Sequence, residues 1–348
     1  MTGVVASQDL RAPALFALRT LAVALSYYAA GRLGLLRDLV VAGSVVSPIW
    51  PPTGVALACL LLFGLRQWPG IALGALFVIM SLTSPRLSSL GVLVGNTAAP
   101  VSGFLLLRRV GFRTDLSRLR DGLALVFLGA LTAMLISSTI GTVMLAVTDK
   151  LPARSFWAVW LAWWVGDAMG VLIVTPVLLL ARRAHERLRW SRWKEAAGLA
   201  VIAGCLVPLS THSRASLQFL VYPLLIWAAL RFRLAGSLLC ALFASVLATV
   251  AATDRVGPFQ DLSGVEVMIS LQAFNGALAL TALLLSAVIT EQHNTRRSVE
   301  RACQELVEVL EHLTAGEAPP GRPPRDDAGR RSEDQTDDGG VPNAPYRP

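Results

Sequence analysis

Residues 156–181 read FWAVWLAWWVGDAMGVLIVTPVLLLA, a run whose single charge is that of Asp167. An apolar stretch of about 20 residues is long enough to cross the ~30 Å hydrocarbon core of a bilayer as a helix. Outward from this run, comparable ones occupy 15–36, 49–65, 68–82, 87–107, 121–147, 196–210, 217–230, 234–252 and 265–290. Only 16% of the chain is charged and 54% is hydrophobic, against roughly 25% charged in a soluble domain. A water-soluble globule is excluded. The expected fold is all-α, a polytopic helical membrane bundle of about 8–10 transmembrane helices. The runs at 68–82, 196–210 and 217–230 are short, and segments of that length also suit re-entrant or paired positions, so eight full spans is the alternative count.

The basic residues set the expected orientation. With ten spans, one set of loops carries Arg11, Arg19, Arg66, the 108–120 cluster, the 182–194 cluster, Arg231, Arg233, Arg296, Arg297 and Arg301, 19 positive charges in all. The opposite set holds 6, namely Arg37, Arg86, Lys150, Arg154, Arg214 and Arg255. The positive-inside rule then puts both termini in the cytoplasm of a bacterial plasma membrane. The net charge of +8 is thus a topology signal, with the lipid bilayer as partner and no nucleic acid. The first run is too long, and too directly followed by others, for a cleaved signal peptide.

After residue 290 the composition changes. Residues 291–313 place Val299, Ala302, Leu306, Val309 and Leu313 at alternating steps of three and four with charges between, a short heptad seam that suits a homodimer or docking on a partner helix. Residues 315–348 are rich in Pro, Gly, Asp and Arg without apolar periodicity, as expected of a disordered tail. The domain reading is a cytoplasmic segment 1–14, a membrane domain 15–290, a cytoplasmic helix 291–314 and the tail 315–348.

Several chemistries lack their residues. His185, His212, His293 and His312 all fall in loops or the terminal helix, which excludes a haem held between spans. Lys150 and Lys194 are both in loops, which excludes a retinal-type Schiff base. No HExxH, GxxxxGK[ST] or GxSxG is present, and the four cysteines show no CxxC spacing. An aspartyl protease needs a second intramembrane acid. The chain is therefore expected to be neither an enzyme nor a carrier of a cofactor or metal.

What remains is a polar set at one depth. Asp167 is the acid nearest the middle of a span, a placement that costs about 2.5–3.5 kcal/mol on insertion scales, so it should face the bundle interior or a wet cavity. Trp157, Trp160 and Trp164 precede it on one helical face. They read either as an interfacial belt or, for the deeper Trp164, as packing or a pocket wall. Asn96, Gln272 and Asn275 fall at similar depth on spans running in the same direction. They are expected to converge with Asp167 on one ligand site below the outer surface, or else to serve as interhelical hydrogen bonds. Ser47-Pro48-Ile49-Trp50-Pro51-Pro52-Thr53-Gly54 opens the second span at the same outer level, with prolines in the first turn and Trp50 at the interface.

In order and spacing, SPIWPPTGVALACLLLFG (47–64), WPGIALGALF (68–77), GNT (95–97), WLAWWVGDAMGVLIVTPVLLL (160–180), YPLLIWAALRF (222–232), GPF (257–259) and ALALTALLLSAVITE (277–291) resemble the bacterial membrane-associated sensor domain of the first class. That is an integral-membrane input module of histidine kinases and diguanylate cyclases. The resemblance covers roughly residues 15–295. It implies eight spans, a sensory role, and motif positions at Trp50, Pro51, Pro52, Asn96, Trp164, Gly166 and Asp167. Members of the family usually continue into a kinase, cyclase or phosphodiesterase domain, for which the residues after 290 are too few. The expectation is a signal-input protein that detects a small ligand or membrane partner and signals through 291–313 to a histidine kinase, a cyclase or another signalling protein. The rival readings are a secondary transporter with a midplane polar site around Asp167 and a structural membrane subunit.

Overall fold

A computed structural model describes residues 5–41, 44–84, 87–187, 193–213 and 217–314. The 315–348 segment, expected to be disordered, lies outside the described residues. The chain divides into two units, Met1–Asn294 and Thr295–Pro348.

The first unit is a helical bundle. Its elements are α1 (Val5–Gly34), α2 (Pro51–Phe63), α3 (Trp68–Leu82), α4 (Leu87–Arg109), α5 (Leu119–Ala124), α6 (Leu135–Val147), α7 (Phe156–Met169), α8 (Thr175–Arg187), α9 (Trp193–His212), α10 (Val221–Thr253) and α11 (Gly264–Thr314), the last running on beyond the unit. A π-helical stretch, Leu125–Thr132, follows α5 and leads through a turn to α6, and another, Gly170–Val174, joins α7 to α8. Between α1 and α2 the strands β1 (Leu39–Val41) and β2 (Ser44–Val46) pair antiparallel, Leu39 opposite Val46. This small hairpin has no counterpart in the sequence reading and leaves the all-α class unchanged.

Among the described residues, eight helical stretches are long and apolar enough to cross a membrane, by length and composition. Two features connect that number with the ten runs of the sequence. The 217–253 stretch is broken at Arg233, whose φ of 55° and ψ of −141° are not helical. A Cβ placed on Gly236 would lie 2.8 Å from the Ala228 carbonyl oxygen, whereas eight residues along a straight helix span about 12 Å. The chain therefore turns back on itself there, and 217–253 is two segments. The other feature is α2, whose 13 residues rise only about 20 Å. It is enclosed by protein, with every residue from Pro52 to Ala58 buried. Its backbone polarity is met within the bundle, and its length need not match the bilayer.

Contacts between loops test the alternation of these ten segments. In the arginine-rich set, the Leu119 amide donates to Glu291 at 3.2 Å, Arg231 holds Glu195 through two bonds of 2.5 and 2.7 Å, and the Arg182 guanidinium lies 5.5 Å from the Phe63 ring centre. In the arginine-poor set, Arg37 pairs with Asp254, Lys150 Nζ donates to Ser88 Oγ at 2.6 Å, and Gly257 packs on the backbone of Thr211 and His212. Among the described residues no such contact joins one set to the other. Eight alternating spans would place Leu119 opposite Glu291, and Gly257 opposite Thr211, so the contacts favour ten.

Candidate functional site

The site begins with a close approach of two backbones. Gly166 and Gly170 stand four apart on α7 and its π-helical continuation, the small-xxx-small spacing that lets membrane helices meet at short range. The Trp50 amide donates to the Gly166 carbonyl at 3.0 Å. A Cβ on Gly170 would fall 1.9 Å from the Trp50 carbonyl oxygen, and one on Gly54 would fall 2.1 Å from that of Gly170. Opposite these glycines, α2 starts with Pro51 and Pro52 in its first turn, where no intrahelical amide bond is lost. The preceding Ser47–Trp50 turn is not helical, and Ser47 Oγ ties it down by bonds of 2.9 Å to the Gly34 carbonyl and 2.6 Å to that of Ile49.

This contact carries Asp167 into the interior, where it is 6% exposed. One carboxylate oxygen accepts from Thr53 Oγ1 of α2 at 2.6 Å, and the other accepts from Ser137 Oγ of α6. Among the described residues no basic group pairs with it. Beside it opens a cavity of about 180 Å³, far more than the ~10–15 Å³ that one water needs, walled by Leu35, Val46, Ser47, Trp50, Val78, Ile79, Leu82, Val92, Asn96, Trp163, Gly166 and Asp167. Apart from one acid, one amide and one hydroxyl, the side chains of the wall are aliphatic or indole. The cavity lies toward the arginine-poor ends of α1, α3, α4 and α7.

The expected site residues divide on this geometry. Asp167, Asn96 and Trp50 meet at the cavity. Trp160 and Trp164 do not line it; their rings stack at 5.8 Å, and they donate to Thr139 Oγ1 at 3.0 Å and to the Leu131 carbonyl at 2.8 Å. The second bond falls where the chain leaves its first π-helical stretch, so Trp164 supports an irregular helix. Among the tryptophans of α7 the one at the cavity is Trp163, four residues before Asp167 and hence above it on the helix. Trp157, Trp160 and Trp164 share a helical face with Asp167, but of the two roles open to Trp164 its bond to Leu131 is packing, and neither it nor Trp160 walls the cavity. Gln272 misses the cavity, but its Nε2 donates at 2.6 Å to the Pro48 carbonyl, in the turn that walls it. Asn275 belongs to another seam: its Oδ1 accepts from Ser245 Oγ at 2.9 Å, between α10 and α11. The expected convergence of all four polar side chains is therefore partial.

Four participants escaped the sequence reading. Thr53 and Ser137 sit in apolar runs where a hydroxyl attracts no notice, although Thr53 belongs to the quoted WPPTG segment. Trp163 stands beside Trp164 with no spacing to single it out, and the Gly166–Gly170 spacing is visible in GDAMG but does not name its partner.

Fold and site together define a multi-pass helical membrane protein with a mostly apolar internal cavity around one buried acid. Residues 19–293 match the MASE1 family, and the chain belongs to it: MASE1 is a membrane-associated sensor domain found in histidine kinases and diguanylate cyclases. It is a sensory input domain, not a catalytic one. No curated protein and no solved structure matches the chain.

Proposed function

We propose that the chain is a non-catalytic signal-input protein of the bacterial plasma membrane, both termini cytoplasmic, whose Asp167 cavity binds a small ligand on the outer side. The observation that carries this reading is the 2.6 Å bond from Gln272 to Pro48. It fastens α11, the helix that continues to Thr314, to the turn that walls the cavity. A ligand that favours one position of the Ser47–Trp50 turn favours the matching position of α11 where it crosses the membrane domain, and small helix shifts are a known means of passing on a signal. Residues 291–313 serve as that docking segment for a histidine kinase, a cyclase or another signalling protein, or for a second copy of the chain.

The test is a detergent pull-down of the full chain beside a version ending at Thr290, with co-purifying proteins identified by mass spectrometry. A kinase or cyclase recovered with the full chain and lost from the shorter one is the expected result, and equal recovery from both would remove the role given to 291–313. A secondary transporter is the second reading, favoured by the π-helical interruption that begins three residues after Asp167, at Gly170, since transport sites gather at irregular helices. Substrate flux in proteoliposomes that Asp167→Asn abolishes would select it.

A further inference from the structure

We propose that the occupant of the Asp167 cavity is a small lipophilic organic cation, an amine or quaternary ammonium with an apolar body. The inference rests on the reading of the cavity as the ligand site and gives that ligand a chemical class. Three observations carry it. Asp167 is buried, and among the described residues its two oxygens are met only by the neutral hydroxyls of Thr53 and Ser137. A buried carboxylate is stable as a charge when a positive charge stands near it, and no described residue supplies one at ion-pair distance. The charge that completes the site then comes from the ligand.

The second observation is the pair of indoles in the wall, Trp50 and Trp163. Tryptophan is the best aromatic partner for a cation held over its ring, and the interaction strengthens where water is excluded. The third is that most of the remaining wall is aliphatic, with Leu35, Val78, Ile79 and Val92 among its residues. Such a surface rejects a strongly hydrated ion but accepts alkyl or aryl groups around a positive centre. Phosphates and carboxylates are disfavoured, because the wall sets Asp167 against them and offers no described Lys or Arg.

The experiment measures binding of tritiated benzyltrimethylammonium to the detergent-solubilised full chain by scintillation proximity. In parallel, the melting temperature is followed with this cation and with its neutral isostere neopentylbenzene. The expected result is saturable binding of the cation, competed by unlabelled cation, together with a melting shift from the cation larger than that from the isostere. Asp167→Asn keeps a side chain of the same shape whose amide the two hydroxyls can turn to meet, and it should weaken cation binding at least tenfold. The comparison of cation with isostere is made on the wild-type chain and does not depend on how that variant folds. If neopentylbenzene stabilises the wild-type chain as well as the cation does, or the cation fails to bind while the isostere shifts the melting temperature, the cationic class is overturned and the cavity stands as an apolar site. If neither compound binds, the cationic class and the ligand-site reading fall together.

Discussion

Gly170 shows how little room the site leaves for a side chain. A Cβ there would sit 1.9 Å from the Trp50 carbonyl oxygen and 2.8 Å from its carbon. Neither atom can swing away, because the Trp50 amide is held by Gly166 and Pro51 fixes the next residue. Gly170→Ala is therefore expected to push α2 off α7 at a cost of about 1–3 kcal/mol, the range for overpacking a tight interior. The melting temperature in detergent should fall, and the hydroxyl of Thr53 should move away from Asp167. Gly198→Ala is the matched control, since nothing lies within 4 Å of a Cβ at that position, and it should leave the melting temperature unchanged or slightly raised. Sequence could point to GDAMG as a close-packing motif, but the partner, the carbonyl of Trp50 more than 100 positions away, is visible only once the chain is folded. The same holds for Asp167. Its burial followed from its place in an apolar run, whereas the choice of Thr53 and Ser137 as donors depends on how three helices are rotated.

At the scale of elements, Arg233 is the clearest case of local strain. With φ 55° and ψ −141° it lies near a region of backbone space that is essentially reserved for glycine, and holding another residue there costs about 1–3 kcal/mol. Glycine removes that strain while adding some entropy to the unfolded chain. Arg233→Gly is therefore expected to stabilise the protein by about 1 kcal/mol and to raise the melting temperature by about 1–2 °C. A lowered melting temperature would contradict the tight reversal between the two halves of α10. The break itself was legible, because Arg231 and Arg233 interrupt an apolar stretch and mark the end of a span. The π-helical stretches and the β1–β2 hairpin were not, since both are fixed by what packs against them and neither alters the apolar periodicity. For the tryptophans, a helical wheel placed Trp157, Trp160, Trp164 and Asp167 together within about one third of the helix circumference. Residues within such an arc still face different neighbours: Trp164 meets the π-helical stretch before α6, and Asp167 meets α2 and α6.

For the whole molecule, a ten-segment alternation under the positive-inside rule predicts a side for each loop. The assignment separates ten spans from eight. Ser117, in the loop after α4, is cytoplasmic with ten spans and external with eight, while Ala153, after α6, is external with ten and cytoplasmic with eight. Gln260, after α10, is external in both. Replacing Cys59, Cys205, Cys240 and Cys303 by serine or alanine and introducing Ser117→Cys, Ala153→Cys or Gln260→Cys singly allows a membrane-impermeant maleimide to read each loop on intact cells. Ten spans require labelling at 153 and 260 and none at 117 until the cells are opened. Labelling at 117 and protection at 153 would instead make α2 a re-entrant helix and 217–253 a single crossing, and would break the bonds from Leu119 to Glu291 and the packing of Gly257 on Thr211. The outcome bears on the sensor as well. Only with an even number of crossings and the arginine-rich loops inside does the cavity face outward while α11 delivers residues 291–313 to the cytoplasm, where a kinase or cyclase could meet them.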